Sequence, residues 1–468
     1  MHNEIFTILK MCMRQRKSNF SNEPVLDKRI NKRALKDKNY FGEVKNHKRH
    51  GNGKCNFPNG AYYEGEWYND KPHGQGDYTY ASKQRYIGSF VEGKRCGYGR
   101  YLYTDGREYI GMWENDKFNG HGRINYPNRG IYEGNFVNDR KEGMGTYKFN
   151  NGDEYVGNWL NNMHHGHGKM TYFELGVYDG LFKNNLKHGK GTLTFYNGNK
   201  YNGEFKYDIR NGHGIYFLKE KGIIYRGNYV NNKKNGKGIQ SYLGGSKYEG
   251  EFANDVRQGK GVMTFKDGDI YNGEYKNDKK NGLGVYIYKN GYKYIGNWLD
   301  GEYNGEGKFY FNDTLLYEGE WALGMKHGTG IRYYESGNVY EGKFIKDLKH
   351  GHGVYKYKSG RCYIGEFYND LRQGDGKVYD NSDKLLYEGE FYNDMANGYG
   401  ILYEKGKYYI GQIIDNSREG VGKIYLNDNT LAYEGEFENN KANGYGISYV
   451  NGKIEHEGLW KDSKIIIK

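Results

Sequence analysis

Tyr63-Glu64-Gly65-Glu66-Trp67-Tyr68-Asn69-Asp70-Lys71-Pro72-His73-Gly74-Gln75-Gly76-Asp77-Tyr78-Thr79-Tyr80 is the stretch that decides the fold. Its large side chains recur every second residue, the spacing of a strand whose side chains alternate between faces. In the first half, Tyr63, Gly65 and Trp67 share one face, and Glu64 and Glu66 take the other. In the second half, Gly74, Gly76, Tyr78 and Tyr80 share a face. One face is therefore aromatic and glycine, and the other is charged and polar. Glycine weakens a strand, but beside a large ring it opens a slot in which an aromatic can lie across the backbone.

The pattern repeats outward in both directions. Tyr-x-Gly begins at Tyr40 and returns at Tyr86, Tyr109, Tyr132 and onward to Tyr409 and Tyr433, with His456 replacing Tyr in a nineteenth copy. Of the eighteen steps, fourteen are 23 residues, so the period belongs to the whole chain. The unit at Tyr109 carries the same marks as Tyr63, with Gly111, Trp113, Gly120 and Gly122 in matching places. Asn59-Gly60, Asn151-Gly152, Asn197-Gly198 and Asp267-Gly268 fall between units and supply the positive φ of hairpin turns. The connection inside a unit, as in Asn69–His73, is polar. Each unit is thus a hairpin joined to the next by another hairpin. The expected fold is all-β: an elongated, twisted, single-layer antiparallel meander of about nineteen repeats and about thirty-seven strands.

Three segments follow: a basic leader at 1–38, either disordered or a short amphipathic helix, the array at 39–460, and a C-terminal capping strand at 461–468. The terminal Ile465-Ile466-Ile467 either caps the last sheet edge or pairs with a second copy. At the other end, Val44 stands where the first unit's aromatic should be. Asp380, Glu404 and Ser448 take inward slots late in the array.

Composition fits such a body. The 468 residues are only 36% hydrophobic, yet include 52 Tyr, 21 Phe, 6 Trp and 73 Gly, so the core is aromatic and thin. Net charge is +12. Ten Lys or Arg against four acids put half of it in the first 38 residues, leaving the array nearly balanced. The four cysteines have no metal or disulfide spacing and fit a reducing, cytoplasmic compartment. No apolar run is long enough to span a membrane as a helix.

No catalytic motif is present; GxSxG, HExxH and GxxxxGK[ST] are all missing. The Gly-x-Gly pairs recur in every unit, as packing requires, and none continues as a phosphate-binding loop. His164, His165 and His167 cluster, and His73, His188, His327 and His350 each precede a Gly-x-Gly, but no Cys or carboxylate arrangement completes a metal site. No enzyme activity, metal or cofactor is expected. Basic residues recur eight or nine positions after the unit tyrosine, among them Lys71, Lys94, Lys117, Arg140, Lys187, Lys326, Lys349 and Arg372. They read as a ridge along one edge, but Asp70, Asp116, Asp139 and their equivalents make it zwitterionic, with a weak field. Membrane contact falls instead to the leader. Ile5, Ile8, Leu9 and Cys12 fit one helical face, followed by Arg14, Arg16 and Lys17, with Cys12 a candidate for acylation.

The unit Tyr-Glu-Gly-Glu-Trp-x-Asn-Asp-Lys-x-x-Gly-x-Gly-x-x-x-Tyr resembles the MORN repeat, and the resemblance runs over roughly residues 40–460. It implies elongated β-sheets that often dimerise. Such repeats occur in junctophilins at membrane junctions, in radial-spoke head proteins of cilia, beside phosphatidylinositol phosphate kinase and SET catalytic domains, and in MORN-only scaffolds of membrane-associated cytoskeleton. This chain leaves no room for a kinase or SET domain. The resemblance thus implies a homodimeric scaffold that joins proteins of a cytoskeletal or membrane-linked complex, with no nucleic-acid partner. The alternative is a phosphoinositide-binding tether whose ligand is acidic phospholipid.

Overall fold

The computed structural model describes residues 38–466, which form thirty-eight β-strands and no helix. The leader residues assigned above to membrane contact, Ile5 to Lys17, lie outside the described residues. The chain divides between Lys233 and Lys234 into two units. In the first, each strand from Tyr40–Lys45 to Ile223–Val230 pairs antiparallel with its neighbours in sequence. In the second, the same rule runs from Lys233–Ser241 to Lys464–Ile465. Each unit is an open single-layer meander that does not close into a barrel.

One repeat consists of strand Tyr62–Tyr68, a two-residue turn, and strand Lys71–Thr79. The turn is tighter than the five-residue connection expected from the sequence. Asn69 and Asp70 both take left-handed backbone, with φ of 47° and 68°. That is a type I′ turn, whose twist matches the flanking strands, and Asn and Asp tolerate it best after glycine. The turn between repeats is different. Phe57 N–H donates to Ala61 O at 2.8 Å and Gly60 N–H to Phe57 O at 2.9 Å, around Pro58-Asn59-Gly60. Only Gly60 is left-handed there. The Asn-Gly dipeptides therefore make three-residue loops, and the I′ geometry belongs to the Asn-Asp pairs.

The two glycines of Gly-x-Gly do separate work. Gly65 pairs with Gly76 but Trp67 pairs with Pro72, so Glu66 alone faces His73, Gly74 and Gln75 across a bulge. Gly74 sits in that bulge at φ 61°, and Glu66 Oε1 accepts the Gln75 N–H at 2.8 Å. Gly76 provides the slot. The Tyr63 ring lies over Gly65 and Gly76, where a Cβ on Gly65 would come within 2.5 Å of the Gly76 Cα. Its hydroxyl donates to Glu66 O at 2.8 Å. Tyr109, Tyr248 and Tyr340 make the same bond at 2.8–3.0 Å.

Each of these tyrosines is gripped edge-to-face by two rings. Tyr63 meets Trp67 at 5.0 Å and Phe90 of the next repeat at 5.4 Å, both near perpendicular. Within each unit the core is therefore a file of such T-shaped contacts, each worth about 1 kcal/mol beyond area burial. All six tryptophans occupy the second ring position, and each indole N–H donates to a glycine carbonyl of the preceding repeat, at 2.9–3.3 Å. The file thins at its ends. Ile413 fills the ring position of the Tyr409 repeat and is buried. His456, opposite Ser448, is exposed and covers no glycine. The C-terminal segment contributes a strand of only two residues, Lys464–Ile465, paired with Lys461 and Trp460.

Candidate functional site

The inward face is used up by its own packing. Nine residues after each repeat tyrosine, the second strand sends a side chain across that tyrosine's ring. Phe118 stacks on Tyr109, His164 on Tyr155 and Tyr303 on Tyr294, each with centroids 3.7 Å apart. At most other repeats the position is basic, with Pro72, Ala396 and Ala442 the exceptions. The Arg95 guanidinium lies 4.2 Å from the Trp113 centroid, and its Nε is 3.1 Å from Asp116. Lys326 meets Asp347 at 2.9 Å in the same way.

This divides the basic ridge expected from the sequence into two rows on opposite faces. Lys71, Lys94, Lys117 and Arg140, at position eight, are exposed. Lys187, Lys326, Lys349 and Arg372, at position nine, are half-buried on aromatic rings. Adjacent residues of a strand point to opposite faces, so eight and nine could never share an edge.

The recurring Asp has a second role that charge alone does not reveal. Asp70 Oδ1 accepts the backbone N–H of Arg49 at 2.8 Å, and Asp70 N–H donates to Arg49 O at 3.1 Å, clamping the turn to the bulge of the preceding repeat. Asn162 clamps Lys141 identically, at 2.9 and 3.2 Å. The signal lay in the sequence: Asn replaces Asp here freely, because both offer the same carbonyl-type acceptor.

Where the turn offers Asn162 or Gly301 in place of Asp, the lysine has no ion-paired carboxylate among the described residues. Lys141 faces Asn162 and is buried, with Nζ 4.6–5.0 Å from the rings of Tyr126, Tyr132, Tyr147 and Trp159. Burial pushes its ammonium down to about 8, while the ring faces oppose that shift. Lys280 meets the backbone of Gly301 and lies 4.0 Å from Trp298; burial again pushes it down to about 8. Burial, then the neighbouring Lys141 charge, pushes His164 down to about 4.

The histidine cluster does not converge. His164 stacks inward, while His167 turns outward to Asp179 at 3.1 Å. Among the described residues no three His, Cys, Asp or Glu side chains gather as a metal site.

The outer face is the surface left for other molecules. The sequence suggested it was charged and polar, and part of it is: Lys54–Glu64, Lys308–Glu318 and Lys377–Glu388 pair across strands at 2.7–2.8 Å. Between these ladders, apolar residues oppose one another, as in Val285 with Ile295, Val354 with Ile364 and Ile401 with Ile410. Leu283 and Tyr98 are each more than 60% exposed there. Two open troughs result. One, in the first unit, is bordered by His121, Ile131, Glu133, Met144 and Val156. The other, in the second unit, is bordered by Leu283, Ile295, Glu306, Glu318 and Ile331. The alternation that fixes the inward face leaves the outward residues free to vary, and the sequence reading averaged over them.

An open antiparallel sheet with a self-packed aromatic face and a variable outer face defines a single-layer β-hairpin repeat protein. The chain belongs to the MORN-repeat family, whose model matches seventeen repeats between residues 40 and 454. The two copies not matched, at Tyr409 and His456, are those where Ile413 and His456 replace rings. No curated protein matches the chain. Among solved structures, the TCP domain of Drosophila melanogaster SAS-4 in complex with a proline-rich motif of Ana2 is 13% identical. The match covers 37% of this chain and 80% of that one, with a TM-score of 0.20. The TCP10 domain of Danio rerio CPAP is 12% identical over 57% of this chain and 98% of its own, at 0.13. Both scores lie far below those of chains that share a fold.

Proposed function

We propose that this protein is a non-catalytic scaffold that organises proteins at a membrane-associated or cytoskeletal structure in the cytoplasm, as a homodimer. The observation that carries this reading is the division of labour between faces. Rings, glycines and clamped turns on one side hold the sheet together and leave it no ligand role. The other side repeats an open, partly apolar surface along each unit, suited to extended protein contact.

A second reading has one specific observation in its favour. The leader's ten basic residues would hold a surface of acidic phospholipid such as phosphoinositide, each contributing about 1 kcal/mol near the surface. Flotation with liposomes, with and without phosphoinositide, separates the readings. The full chain is compared with a version lacking residues 1–38. Flotation of the full chain alone makes the leader an anchor and leaves the sheet for proteins. Flotation of both makes lipid the ligand of the repeats and displaces the scaffold reading.

A further inference from the structure

In each repeat the residue after the second ring position points outward and pairs, across the turn, with the residue eight past the repeat tyrosine. In the first unit that partner is often a cation: Tyr68 pairs with Lys71, Val91 with Lys94 and Val137 with Arg140. In the second unit consecutive repeats lose the cation. Ile345 pairs with Leu348, Tyr368 with Leu371 and Tyr392 with Met395. Ala322 with Met325 adds a fourth apolar rung before them. Tyr368 and Tyr392 are each more than half exposed, and the His350 ring stands 5.1 Å from that of Tyr368. An exposed apolar stripe with polar borders marks a contact surface.

The period of the stripe selects its occupant. Asp347 N–H donates to Lys326 O at 3.0 Å, Asp370 N–H to Lys349 O at 3.0 Å, and Asp394 N–H to Arg372 O at 3.2 Å. These bonds hold neighbouring repeats at strand spacing along this edge. The rungs therefore recur about every 9.6 Å, at 4.8 Å per strand. A polyproline II helix repeats each of its edges every three residues, about 9.3 Å, and drifts from the rungs by about 1 Å over three steps. An α-helix returns the same face after seven residues, about 10.5 Å, and drifts by about 3 Å. An extended strand shows one face about every 6.6 or 13.2 Å. Of the three, polyproline II alone keeps step with the rungs.

One border of the stripe is acidic. Two residues before each first member of a rung, on the same face, stand Glu320, Lys343, Glu366 and Glu390. None of these three carboxylates is ion-paired among the described residues, whereas nearby Glu318 and Glu388 are held by Lys308 and Lys377. The other border is the row of turns, where Lys346 stands exposed. The chain has only four prolines, and they are scattered, so a second copy has no such helix to offer. We propose that this stripe binds a proline-rich segment of a partner protein in the polyproline II conformation. Its apolar residues at every third position meet the rungs, with proline rings against Tyr368 and Tyr392. Lys or Arg on a second edge of the same helix faces Glu320, Glu366 and Glu390. The proposal rests on the scaffold reading and names the class of protein segment held.

Fluorescence anisotropy of a labelled (Pro-Pro-Arg)4 peptide with the full-length chain tests this at physiological salt. Two comparison peptides are (Pro-Pro-Glu)4 and a shuffled peptide of the first composition with its three-residue period broken. Both should bind at least tenfold more weakly. The full-length double variant Tyr368→Ser/Leu371→Ser should bind (Pro-Pro-Arg)4 at least tenfold more weakly than wild type, and Glu366→Gln/Glu390→Gln at least threefold. All four side chains lie on the outer face, and a urea midpoint close to wild type confirms that each variant is folded. Sedimentation of the same proteins reads their oligomeric state. Absence of binding, equal binding of either comparison peptide, or undiminished binding by the Tyr368→Ser/Leu371→Ser variant would overturn the proposal. So would a wild-type dimer that this variant alone turns into monomers, which gives the stripe to a second copy. Liposome flotation is untouched by these outcomes, so the scaffold reading stands or falls separately.

Discussion

At the level of single residues, backbone conformation and burial set the stability of this chain. Lys83 occupies a between-repeat turn at φ 68°, the place held by Gly60 and Gly106 in other turns. Left-handed backbone costs a residue with a Cβ about 1 kcal/mol. Lys83→Gly should therefore raise stability by about 1 kcal/mol, read from the shift of a urea midpoint at constant slope. His164 gives a pH signature. Its folded pKa of about 4 lies below the unfolded value, so between pH 6.5 and 4 the unfolded chain binds the extra proton. The stability present above pH 6.5 is lost as pH falls through that window. Phe118 shows that phenylalanine fits the same stacked position. His164→Phe should be close to neutral at pH 7 and more stable than wild type by about 3 kcal/mol at pH 4. Urea melts of both proteins across that range would check it. A wild type and variant with parallel pH profiles would remove His164 as the acid-sensitive group.

At the level of the hairpin, the strongest constraint is the glycine slot under each tyrosine. A methyl at Gly261 would overlap the Tyr248 ring and hydroxyl, and the ring is fully buried. Gly261→Ala should cost about 3 kcal/mol, as overpacking of a rigid contact does. Tyr248→Phe, which removes only the hydroxyl bond to Glu251 O, should cost about 1 kcal/mol. Thermal melts of the two variants give the order directly. The sequence made this element legible because alternation and a 23-residue period are both written in the side chains. Tyr63, Gly65, Trp67, Gly74 and Gly76 could be assigned to one motif without coordinates. The jobs of Gly74 and Gly76 could not be separated, since a bulge is a matter of register, which alternation does not encode. The same bulge put position nine on the rings and position eight in solvent, a distinction that one residue of slip decides. The Asx clamp joins residues 21 apart in different repeats, so a reading confined to one repeat saw only a charge beside a charge.

Across the molecule, the main contacts of each described strand within its unit are with its neighbours in sequence. Stability in such an array is a sum of repeat and junction terms. Removing residues 405–468 should leave the strands before Glu404 folded. Amide exchange near Tyr155 should keep its protection within about 0.5 kcal/mol. Loss of protection there would point to coupling that nearest-neighbour packing does not provide. The tryptophans give this linear design an optical consequence. Trp67, Trp113, Trp159, Trp298, Trp321 and Trp460 share one hydrogen-bonded position, and each of the first five packs edge-on to its own repeat's tyrosine. A chain reduced to any one of them by Trp→Phe replacement emits from a known address. Tyrosine-to-indole energy transfer then dims when that junction opens, so six such chains would film the array unzipping repeat by repeat.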